Sequence, residues 1–180
     1  MKFKLALVLS YTLAVLFCVQ AVPAVAQASH PNREFVDTFQ KHWSTARGLA
    51  LAVGDAMPTE GYGFKPVAPE MSFGEMMLHI AQANYGYCAF IADTKSPYTE
   101  PAKDAKIEKA GALKDLEGSF DYCTKAFDGL DEARLSQMHG SGKQSFSTHD
   151  TMLGVMIHMS HHRGQVYLRA KGITPPEYKW

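Results

Sequence analysis

At 180 residues with 46% hydrophobic positions, the chain has the length and apolar content of one folded domain. Its 18 basic and 18 acidic side chains cancel, so no net field draws it to nucleic acid or to an anionic membrane surface. Nucleic acid is therefore not an expected partner.

The chain opens with Lys2 and Lys4, an apolar run from Leu5 to Val19, and small residues before a polar stretch. This is the layout of a secretory signal peptide, with cleavage expected after Ala26 ("AVA") or Ala28 ("AQA"), so residues 1–28 are assigned as leader and 29–180 as one domain. The run is short for a bilayer span, and no stable membrane span is expected after cleavage. Export to the periplasm follows as the expected location. Loss of Lys2 and Lys4 with the leader leaves 16 basic residues against 18 acidic, a formal charge of −2. The mature chain keeps Cys88 and Cys123, which an oxidising compartment permits to form one disulfide; two buried free thiols are the alternative.

Four helical segments follow. From about Arg33 to Val53, apolar residues recur at Phe35/Val36, Phe39, Trp43, Ala46, Leu49/Ala50 and Val53, the spacing of one helix face. Gly54 and Pro58 end it, and a glycine- and proline-rich connection follows in which Tyr62 and Phe64 are expected to fold back over the bundle end. In "MSFGEMM" Ser72 and Glu75 make a capping box, with Met71 and Met76 as a hydrophobic staple. The helix this starts carries a stripe of Phe73, Met77, Ile80, Asn84, Tyr87 and Ile91, with His79 along its border. Asn84 on that stripe needs a buried partner. A third helix reaches about Leu130 through Leu113, Leu116, Phe120, Cys123 and Phe127. "GSGKQSF" reads as a flexible turn, after which Ser147 and Asp150 cap a helix expected to continue to about Lys171, with Gly172 at its C-terminal cap. No strand-like alternation is present. The expected fold class is all-α, a four-helix bundle, and an up-down-down-up order would use the long connections after the first and second helices as crossovers.

Residues 157–172, "IHMSHHRGQVYLRAKG", place three histidines within five positions. Four residues apart on a helix, His158 and His162 can aim ring nitrogens at one point. Neutral imidazoles suit zinc, nickel or iron, and His79, set in a strongly apolar helix, is the natural third ligand. Three histidines leave coordination positions open, the arrangement of a reactive rather than a structural metal. The pair His158 and His161 is a competing choice; His162 is preferred because it continues the Met152, Val155, Met159 stripe, where an unligated imidazole would carry a desolvation cost. His30, His42, His139 and His149 are left unassigned. Met159 and Ser160 stand where HExxH would place its glutamate, so that motif is absent, and "GSGK" at 140–143 lacks the spacing of a phosphate-binding loop.

The stretches "MSFGEMMLHIAQ" (71–82) and "HMSHHRGQVYLRAKGITPPEY" (158–178) together resemble the DinB family, four-helix bundles grouped with thiol-dependent transferases and mycothiol-dependent isomerases. The resemblance spans essentially the whole mature chain. It implies an up-down-down-up bundle whose centre binds a divalent metal, often nickel or zinc, through histidines that fall on His79, His158 and His162. Arg163, Gly164 and Gln165 match the family's RGQ; Gly164 is read as permitting close packing, and Arg163 and Gln165 as hydrogen-bonding residues near the site. Arg169 either serves an anionic substrate or compensates the helix dipole. Most relatives associated with thiol chemistry are cytoplasmic, whereas this chain carries an export layout.

The leading expectation is a divalent-metal-binding DinB-like protein in which the metal serves a transferase or hydrolase reaction on a small molecule. The alternative is a non-catalytic, stress-associated exported protein that holds a metal or ligand; a third reading has the histidines merely packed in a structural bundle. No catalytic residue is assigned, and a homodimer is compatible with the bundle's size.

Overall fold

The computed structural model describes residues 31–102 and 105–177. The expected signal peptide, residues 1–28, lies outside the described residues.

The described residues form an all-α fold of packed helices, built on four long ones: α1 (Pro31–Ala56), α2 (Phe73–Ile91), α3 (Lys109–Asp128) and α5 (Thr148–His161). Two short helices, α4 (Glu132–Ser136) and α6 (Gln165–Ala170), complete the set. No described helix is long and apolar enough to cross a membrane.

The apolar stripes meet as their spacing requires. On α1, Val36, Phe39, Trp43, Ala46, Ala50 and Val53 are all buried. Trp43 lies 4.8 Å from the Phe120 ring and edge-on to Phe127 at 5.4 Å, while Phe39 meets Phe127 at 5.1 Å. Such tilted and edge-on aromatic pairs each add about 0.5–1.5 kcal/mol beyond the area they bury. At the other end of α1, Lys109 Nζ donates to the carbonyls of Asp55 and Met57, satisfying acceptors that the helix leaves open. Leu113 leans on Gly54, where an added Cβ would come within 2.7 Å of Leu113 Cδ2. Thus the end of α1 lies at the start of α3.

Between α2 and α3, Asn84 Nδ2 donates to Ser119 Oγ at 3.1 Å, which supplies the buried partner that Asn84 required. One turn on, Cys88 and Cys123 are joined in a disulfide with Cα atoms 5.2 Å apart, both residues fully buried. The same pairing order along both helices means that residues early in α2 face residues early in α3.

Both expected capping boxes form. Glu75 N–H donates to Ser72 Oγ and Ser72 N–H to Glu75 Oε2; Asp150 and Ser147 exchange the equivalent bonds at the start of α5. Tyr62 does fold back: its hydroxyl donates to Gly54 O at 2.9 Å and its ring sits edge-on to Phe73 at 5.2 Å.

Two expectations are corrected. The last helix does not run unbroken to Lys171: α5 stops at His161, Gly164 takes φ +80°, and α6 starts at Gln165. The left-handed conformation at Gly164 is one that a helix interior does not contain, and it turns the chain into the core. An added Cβ there would lie 3.0 Å from Met77 Cε and 3.4 Å from Phe73 Cε2. The expected close packing at Gly164 is therefore real, but it interrupts a helix rather than joining two. Gly172, at φ +73°, ends α6 as expected, with Ile173 N–H returning to Leu168 O and Gly172 N–H to Arg169 O.

The second correction concerns the segment before α5. It is not a plain flexible turn but a short antiparallel hairpin, β1 (Met138–His139) with β2 (Phe146–Ser147), closed by a 3₁₀ turn at Gly142–Gln144. His139, buried at 4% exposure, anchors it: one ring nitrogen contacts Asp93 Oδ1 at 2.8 Å and the other Thr148 Oγ1 at 2.8 Å. The hairpin is thereby tied to the end of α2 and the first turn of α5.

Candidate metal centre

His79 projects from the second turn of α2, a helix whose start is set by the Ser72 box and whose opposite border is locked by the disulfide. His158 projects from α5 between the buried Val155 and Met159. His162 stands at the C-terminal cap of α5, with φ −93° and ψ 13°, and its N–H still reaches His158 O at 3.1 Å. That last helical bond keeps His162 in the i,i+4 relation to His158 although the helix has ended. Beyond it, α6 is pinned by Tyr167, whose hydroxyl donates to Met71 O at 3.0 Å just ahead of α2. The sequence reading missed Tyr167, because nothing in the spacing reveals that residues 71 and 167 meet.

The three imidazoles converge. His79 and His158 Nε2 atoms are 3.1 Å apart, and one candidate ligand nitrogen from each of His79, His158 and His162 lies within 4.8 Å of the others. Ring centroids are separated by 4.6–4.9 Å across all three pairs. All three side chains are partly buried. His161, the competing choice, is exposed, with its ring edge-on to His162 at 4.6 Å. Of the histidines left unassigned, His149 packs its ring on Phe35 at 4.3 Å, far along α5 from this cluster.

Burial and neighbouring rings keep His158 and His162 neutral. Burial, then the neighbouring His162, His79 and His161, lower the pKa of His158 to about 4. Burial and the same type of neighbour lower that of His162. At neutral pH these rings therefore offer lone pairs rather than positive charge, which is the form that ligates a metal. Two imidazole Nε2 atoms 3.1 Å apart either share one proton or both face a cation, and a cation is the one partner that can engage all three rings at a single point. The donor set thus fits a divalent ion such as zinc or nickel, and the protein contains a three-histidine cluster able to coordinate one. His158 Nδ1 is buried and makes no hydrogen bond to a described residue.

Two open grooves reach the cluster. One of about 730 Å³ has His79 in its wall; the other, about 330 Å³, is bordered by His161, His162 and Gly164. Met71 lines both. Arg169 sits exposed in the last turn of α6 and lines neither groove, which fits its dipole-compensating reading.

A profile of the DinB superfamily matches residues 42–166, and the chain belongs to that superfamily. Among solved structures it is similar to a DinB-like protein from Bacillus subtilis, with a TM-score of 0.65 and 18% identity over 79% of this chain and 98% of that one. It is likewise similar to a DinB-like protein from Bacillus cereus, with a TM-score of 0.68 and 16% identity over 79% of this chain and 97% of that one. At these identities the likeness is one of fold. No curated protein matches the sequence.

Proposed function

We propose that this is an exported, divalent-metal-binding member of the DinB superfamily in which His79, His158 and His162 hold one zinc or nickel ion, and that the loaded site acts on a small molecule as a transferase or hydrolase. The observation that carries the reading is the convergence of three imidazoles, with their candidate ligand nitrogens all within 4.8 Å of one another. Three protein ligands leave room for an exogenous one. A divalent ion there supplies a Lewis acid that polarises an oxygen or sulfur atom of what binds. The chain's own contribution is placement. The Ser72 box and the disulfide hold α2, the Gly164 turn and Tyr167 hold His162, and Met71 and Leu78 line the groove beside His79.

In this reading the helices follow up-down-down-up order, supported by the pairing of α1's end with α3's start and by the in-step pairing of α2 with α3. Periplasmic export rests on the leader's layout, with the Cys88–Cys123 bridge consistent with an oxidising compartment.

Equilibrium dialysis of the metal-free protein against zinc and against nickel tests the assignment. About one ion per chain is expected for the wild type and none above background for His79→Ala. Uptake by His79→Ala equal to wild type would overturn it. Turnover that disappears in the same variant would support catalysis, whereas metal uptake without turnover of any thiol or ester tested would favour the non-catalytic alternative.

A further inference from the structure

Neighbouring residues on a helix point to different faces, so rings at i and i+1 do not normally meet. His161 and His162 do meet at the end of α5, with ring centroids 4.6 Å apart. That is as close as the three clustered histidines are to one another, at 4.6–4.9 Å. After burial and the other rings of the trio, His161 is the remaining contributor that lowers the pKa of both His158 and His162, which sets it within electrostatic range of each. Yet it stands outside the set whose candidate nitrogens all lie within 4.8 Å of one another, and it is exposed where those three are partly buried. His161 and His162 both line the open groove of about 330 Å³, together with Met71, Met76, Gly164 and Tyr167. A cation entering there meets an exposed imidazole beside a sheltered one.

A hydrated divalent ion has to exchange water for nitrogen at three partly buried rings, and stripping several waters at once is costly. Resting on the metal-site reading, we infer that His161 is a docking ligand: its ring nitrogen takes the incoming ion first, displacing one water, and gives way once His162, His158 and His79 have each displaced another. The coordination place that His161 vacates returns to water, so the loaded centre keeps three histidines and an open position. With metal–nitrogen bonds of about 2.0–2.1 Å, two nitrogens on one ion lie within about 4.2 Å of each other, a span that rings 4.6 Å apart reach by side-chain rotation. Exposure gives the His161 ring the room to turn.

Stopped-flow measurement of cobalt(II) uptake, read from its visible absorbance at fixed pH, tests the inference. Release is timed into excess chelator, at a rate independent of chelator concentration, and the dissociation constant is taken separately by competition with a chromophoric chelator. Wild type is compared with His161→Ala and with His149→Ala, the latter removing an exposed histidine of the same helix whose ring packs on Phe35. A docking ligand lowers the barrier to entry and exit alike, so its loss leaves the equilibrium where it was. Uptake and release are both expected to slow about fivefold in His161→Ala, roughly 1 kcal/mol on the shared barrier, with the dissociation constant unchanged and His149→Ala indistinguishable from wild type. A changed dissociation constant would make His161 part of the loaded site, and unslowed uptake would make it a bystander; either would overturn the inference with metal binding intact. Equal slowing in His149→Ala would overturn it as well, since any surface imidazole would then serve. Failure of the wild type to take up cobalt would instead overturn the metal-site reading and this inference with it.

Discussion

Protonating His158 means charging a ring that is half-buried among three other imidazoles, which is why its pKa falls to about 4. The unfolded chain, with the ordinary histidine value near 6.5, then binds more protons than the folded one between about pH 4 and 6.5. Stability consequently rises with pH through that window and is lost as pH falls through it; His162 acts in the same direction. Metal-free protein is expected to melt at lower temperature at pH 5 than at pH 7.5, with a shallower dependence in His158→Leu, and thermal denaturation across that range checks both. An identical dependence in the variant would contradict the assigned cause. His139 calls for a different experiment. It is buried with both nitrogens bonded, so His139→Ala leaves the Thr148 hydroxyl and the Asp93 carboxylate without those bonds. A loss of about 2–3 kcal/mol in urea denaturation is expected, with zinc affinity little changed. The meeting of His79, His158 and His162 was legible because His158 and His162 are four apart and His79 borders an apolar stripe. His139 was not: its partners are 46 residues back and nine residues ahead, and its own segment shows no periodicity.

At the scale of elements, capping chemistry was readable and the helix break was not. Ser72–Glu75 and Ser147–Asp150 are local signals whose partners lie three residues away, so sequence alone places both helix starts. Gly164 gives no such signal, because a lone glycine in a helical pattern is usually tolerated. Its φ of +80° and its closeness to Met77 and Phe73 are both visible only in the packed molecule. The break matters functionally since it lies two residues past His162. In Gly164→Ala, a side chain must occupy left-handed backbone and press against Met77, costing about 1–2 kcal/mol or more. Displacement of His162 is expected to weaken zinc binding by roughly tenfold, measured by competition with a chromophoric chelator. Unaltered affinity in a folded Gly164→Ala variant would show that the turn does not position the ligand. The hairpin was similarly hidden, since two-residue strands carry no alternation to detect.

For the whole molecule, the all-α class followed from four apolar stripes, whereas the disulfide was one of two options until α2 and α3 were seen side by side. The bridge closes a separation of 35 residues, for which loop entropy in the unfolded chain amounts to about 3–4 kcal/mol. Cys88→Ala/Cys123→Ala is expected to lose roughly that much in denaturant unfolding, and an unchanged midpoint would place the stability elsewhere. Everything functional depends on His79, His158 and His162 sharing one ion. X-ray absorption spectroscopy of zinc-loaded protein reads this directly. Three imidazole nitrogens at about 2.0–2.1 Å with at least one further light ligand are expected. A first shell with fewer than three imidazoles, or one that is unchanged in His158→Ala, would contradict the account.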